Sequence, residues 1–183
     1  MAKSKKNLVG LLIGLGVVVF AVAAFFMQFA VGVTFTASSG SVSATGAISG
    51  VTCVYGGAYN GTLTAVIGGI SSVTDISDPD ANVAFNWGSF IGYYLFLVAA
   101  ILLAVSFLMK NKKNKIILGS ITIVCFLTGT ILTFCEAPLF TSANAYNSSE
   151  GYGLGIGAIL GGIFGLIATF GGVAALVKSA VSK

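Results

Sequence analysis

The chain has 183 residues, only 8% of them charged, and a mean hydropathy of +1.01. This excludes an ordinary soluble domain, in which roughly a quarter of residues are charged. Histidine is absent, so His-based acid–base catalysis and His metal ligation are excluded as well. The net charge of +4 comes from lysines beside apolar runs, with no arginine for bidentate phosphate contacts, and therefore predicts no nucleic-acid partner.

Four runs reach the roughly 20 apolar residues that a helix needs to cross a membrane. They predict a first span over 8–33, an external loop over 34–89 and a second span over 90–109. A cytoplasmic loop over 110–115, a third span over 116–135, an external loop over 136–153 and a fourth span over 154–177 follow. Lys3, Lys5 and Lys6 precede the first run, Lys110, Lys112, Lys113 and Lys115 lie between the second and third, and Lys178 and Lys183 follow the fourth. Asp75, Asp78, Asp80, Glu136 and Glu150 occupy the other two segments. Basic residues in short loops mark the cytoplasmic side, so the sequence predicts a multi-pass plasma-membrane protein with both termini inside. The first run has the basic leader of a secretory signal, but it exceeds the roughly 7–15 apolar residues of a signal core. An uncleaved span is expected.

The first helix is expected to end near Thr34, with Gln28 close to its outer end and satisfied there by water or a loop carbonyl. The segment that follows is rich in β-formers. Asn60-Gly61, between Cys53-Val54-Tyr55 with Tyr59 and the run Thr62 to Ile67, matches a type I′ hairpin turn. That turn would pair Tyr59 with Thr62, Gly57 with Thr64 and Tyr55 with Val66. Thr34–Thr36 and Ser41–Ser49 would supply further strands, giving a small antiparallel sheet on the outer ends of the helices. Ser71 to Asn86 reads as a loop, sharpest at Asp78-Pro79-Asp80. Trp87, Tyr93 and Tyr94 mark the interface at which the chain re-enters the bilayer. Glu136 is expected to cap or solvate the outer end of the third helix.

In the fourth run, Gly153, Gly157, Gly161 and Gly165 recur at four-residue spacing. Small residues so placed let helices approach closely in lipid, within one chain, between copies, or along a ligand path. Hydroxyls in the third run, among them Thr122 and Thr130, are expected to bond the preceding helical turn. Cys53 and Cys135 fall on the external side and form a candidate disulfide, whereas Cys125 lies within a span and acts as a small apolar residue. Asp75, Asp78 and Asp80 lack the spacing of a calcium loop and read as a solvated turn. Asn60-Gly61-Thr62 and Asn147-Ser148-Ser149 fit the glycosylation pattern. No catalytic, cofactor-binding or metal-binding set can be assembled, and the chain is not expected to be an enzyme.

The plan resembles the claudin and PMP22-like tetraspan families in its four spans, its large β-rich first external loop and its short second one. That resemblance implies a left-handed four-helix bundle carrying an extracellular sheet, in proteins of cell adhesion, paracellular barriers or auxiliary subunits. The first-loop signature of those families, a Trp, then Gly-Leu-Trp and two cysteines, is not present. The loop holds the single Cys53, with Trp87 at its far end, so no family site residue carries over. The fold expected is an all-α membrane protein, a four-helix bundle with a small extracellular antiparallel sheet formed by the first external loop. The function expected is a non-catalytic scaffold or interaction protein in contact with membrane lipid, presenting Thr34 to Trp87 to a protein partner. The alternative is a small transporter or channel subunit that assembles as a homo-oligomer through the glycine-rich fourth helix.

Overall fold

A computed structural model describes residues 2–39, 42–67, 69–144 and 151–181. In chain order the elements are α1 (Ala2–Phe26), a 3-10 turn (Met27–Phe29), β1 (Val31–Ser39), β2 (Val42–Ser49) and α2 (Gly50–Tyr55). They continue with β3 (Gly57–Ile67), β4 (Ile70–Val83), α3 (Trp87–Leu108), α4 (Lys112–Phe134), α5 (Glu136–Asn144), β5 (Gly151–Leu154) and α6 (Ile156–Val181). The chain divides into two compact units. One comprises Met1–Phe25, Gly92–Ile131 and Gly161–Lys183, and the other Phe26–Ile91 and Leu132–Leu160.

Four helices are long and apolar enough to cross a membrane, over Val9–Phe29, Trp87–Leu108, Lys112–Phe134 and Ile156–Lys178. Their large apolar side chains point outward: Leu15 is 61% exposed, Val124 62% and Phe170 71%. A surface of that kind suits hydrocarbon rather than water, so the helices suggest a multi-pass membrane protein. The interior of the helical unit is built from small residues and rings. Ala21, Ala24, Ala99, Ala100 and Ala168 pack with Phe96 and Phe126, as expected where close approach, not water exclusion, holds helices together. Thr122 donates to the Leu118 carbonyl at 2.9 Å and Thr130 to that of Phe126 at 2.8 Å. These third-span hydroxyls are thus satisfied by the preceding turn, as read from the sequence.

The second unit holds a five-stranded antiparallel sheet in the order β4-β3-β2-β1-β5. The strands expected within 34–36 and 41–49 are present as β1 and β2. Other expectations are corrected. The first helix stops at Phe26, well short of Val33, and Val31 to Val33 begin β1. An apolar run reads alike as buried helix or buried strand, and here the β-branched residues after Ala30 go to the sheet. Asn60 and Gly61 lie within β3, not at a turn. Tyr59 pairs with Asp78, Thr62 with Ala47 and Asp75, and Gly57 with Val83. The reversal falls instead between Ile67 and Ile70, which pair directly, and Gly69 supplies the positive φ of +87°.

Cys53-Val54-Tyr55 is helical, not extended. Ser49 caps α2 by accepting from the Thr52 amide at 3.2 Å, and Gly56, at φ +71°, ends it. The segment read as a loop from Ser71 to Asn86 is mostly β4, a 14-residue strand. Its polar residues suit an outer strand with little to bury. Pro79 falls between paired Asp78 and Asn82, where the register with Tyr59 and Ala58 breaks, a position that tolerates a missing amide. The sheet is also not the product of the first loop alone. The second loop contributes α5 and the edge strand β5, which pairs Tyr152 with Phe35 and Leu154 with Val33.

Candidate interaction surface

Partners in an antiparallel sheet share a face, and residues alternate along each strand. One face therefore carries Val33 and Phe35 of β1, Ile48 of β2, Tyr59 of β3, and Tyr152 and Leu154 of β5. At its base this face is covered. Val33 and Ile48 are buried with Cys53 of α2 and with Ala137 and Phe140 of α5, while Phe35, Tyr59, Tyr152 and Leu154 pack around them. The Ala84 amide donates to Asn144 Oδ1 at 2.7 Å, which ties the end of β4 to the end of α5.

Toward its far end the same face is bare. Val42 pairs with Ile67 and Ile67 with Ile70, making one apolar row across three strands. These side chains are 38%, 60% and 77% exposed. The opposite face is threonine-rich, with Thr36, Thr45 and Thr64 in one row that ends at the exposed Val73. Among the described residues β4 pairs only with β3, forming one outer edge of the sheet. Residues 70–75 of β4 are exposed throughout. A long outer strand with exposed apolar residues offers unpaired backbone groups to an incoming strand.

A buried polar junction supports the base. Gln28, Cys53 and Glu136 are fully buried. Tyr55 Oη donates to Gln28 Oε1 at 3.0 Å, so an α2 side chain meets the Gln28 carbonyl oxygen. Glu136 is likewise not a solvated cap. It is buried in a unit that contains all five acids and none of the nine lysines. Burial above all, and the Glu136 carboxylate next, push the Cys53 thiol well above its ordinary range, while a backbone hydrogen bond at Val33 opposes the shift. A thiol held protonated in this way is a poor nucleophile. Cys53, Cys125 and Cys135 are all free thiols, and the expected Cys53–Cys135 disulfide is not formed. The Cys53 sulfur instead lies in the core, directed at the Ile48 carbonyl at 4.0 Å. Among the described residues no group of three or more Cys, Asp or Glu could hold a metal ion.

The expected glycine stripe is divided. Gly153 lies in β5, while Gly157, Gly161 and Gly165 are buried in α6. A Cβ on Gly157 would lie 2.6 Å from the Met27 carbonyl oxygen, and one on Gly165 would lie 2.5 Å from Thr130 Oγ1 and 2.6 Å from the Phe96 ring. Both glycines are therefore closed against atoms of the same chain. Trp87 is 69% exposed beside Phe85 and Phe90, with ring centroids 4.7 and 6.2 Å away. Tyr93, expected at an interface, is fully buried. Asn147-Ser148-Ser149 lies outside the described residues. No family model and no curated protein matches this chain, and its four apolar helices and small sheet are compatible with a tetraspan architecture.

Proposed function

We propose that this is a non-catalytic four-pass membrane protein that presents its sheet on the outer side of the bilayer to a protein partner. The partner would add a strand to β4 and cover the row Val42–Ile67–Ile70. That exposed row beside an outer strand is the observation that carries the reading. Three further features support it. The lysine distribution favours termini on the cytoplasmic side, the base of the sheet is already packed, and Cys53 is buried in the core beneath it.

The runner-up, a transporter or channel subunit assembled through the glycine-rich helix, has less support because Gly157 and Gly165 already face their own chain. The test is a photo-crosslinker placed at Ile70 in intact cells, with the captured protein identified. Ile67→Lys should abolish both the capture and co-purification of that protein. Selective solute flux through liposomes containing the purified chain, with capture unaffected by Ile67→Lys, would contradict the proposal.

A further inference from the structure

The helical unit contains all nine lysines and not one acid. Any cationic cluster it forms lacks a carboxylate of its own unit. One such cluster rims a cleft of about 1280 Å³: Lys110, Lys112, Lys115 and Lys178 line it together with the apolar residues Leu11, Leu103, Phe107 and Phe170. Lys115 and Lys178 are only half-exposed. The buried Ser106 beside them donates to the Leu103 carbonyl at 2.6 Å and, being neutral, supplies no counter-charge. The cleft exceeds the roughly 300–1,000 Å³ of small-molecule pockets. An occupant needs a negative head to meet the four ammonium groups and an apolar body to fill the trough between α3, α4 and α6.

We infer that this cleft holds one anionic phospholipid of the cytoplasmic leaflet, its phosphate among the four lysines and an acyl chain along Phe107 and Phe170. Each ammonium near an anionic headgroup strengthens binding by about fivefold at moderate salt. Gly10 on α1 also lines the cleft, and nothing lies within 4 Å of the position its Cβ would take. A leucine there enters the trough without striking the backbone.

The test uses the full chain in nanodiscs of phosphatidylcholine with and without phosphatidylglycerol, then counts lipids retained after detergent extraction by native mass spectrometry. One phosphatidylglycerol should be retained, and millimolar inorganic phosphate should not displace it. Combined K112Q, K115Q and K178Q should lower retention about a hundredfold. Gly10→Leu should lower it with all lysines intact and the melting temperature unchanged. Equal retention of phosphatidylcholine, displacement by phosphate alone, or wild-type retention in both variants would each overturn the assignment.

Discussion

Cys53 and Glu136 meet across Gly32: a Cβ added to that glycine would lie 3.0 Å from the Cys53 sulfur and 2.8 Å from Glu136 Oε1. The Gly50 Cα would be equally close, at 2.8 Å. Backbone cannot swing aside as a side-chain tip can. Gly32→Ala should therefore destabilise the sheet-bearing unit by about 1–3 kcal/mol, measured as an earlier denaturation of the detergent-solubilised protein. An unchanged midpoint would show that the junction is looser than described.

The thiol at this junction gives a pH signature. Cys53 has an ordinary value of 9.0 when unfolded and a raised one when folded. The folded state thus retains a proton that the unfolded state gives up. The stabilisation is fully present below about pH 9 and is lost as pH rises from there toward the raised folded value. The slope approaches about 1.4 kcal/mol per pH unit. Cys53→Ala should remove this alkaline loss. Alkylation should reach Cys53 only after denaturation, when all three cysteines react without reductant. A count below three would restore the disulfide.

The strand register has a direct check. Thr64 pairs with Val73, not with Gly57. In a Cys125→Ala, Cys135→Ala background, T64C with V73C should oxidise readily, whereas G57C with T64C should not. The reverse result would place the turn back at Asn60-Gly61.

That register also shows how far the sequence could be read. The four apolar runs and the two strands after Ala30 were legible because hydropathy and β-branching act locally. The turn was not. Asn60-Gly61 and Gly68-Gly69 both have turn chemistry, and only long-range pairing decides between them. Gly61 serves the sheet instead, since its missing side chain lets the Ala47 carbonyl of β2 come close. β4 was missed because Asp78-Pro79-Asp80 is a turn signal by composition, yet an outer strand accommodates those residues in a register break. The burial of Gln28 and Glu136 depends on α2 and α5 closing over β1, and no periodicity records that.

Gly165 tests the helical unit by itself. Gly165→Leu must displace Thr130 Oγ1 and the Phe96 ring, and overpacking of this kind typically costs about 1–3 kcal/mol. Thermal unfolding in detergent should begin earlier, whatever the oligomeric state. A variant with unaltered stability that loses only self-association would assign this face to a second copy.

The central claim is that the sheet is presented outside and the lysine-rich ends inside. A membrane-impermeant maleimide applied to intact cells tests it most directly, with single cysteines at Ile70 or Lys112 in the Cys125→Ala, Cys135→Ala background and Cys53 shielded by burial. I70C should be labelled in intact cells, and K112C only after permeabilisation. Labelling of K112C and protection of I70C in intact cells would contradict the account.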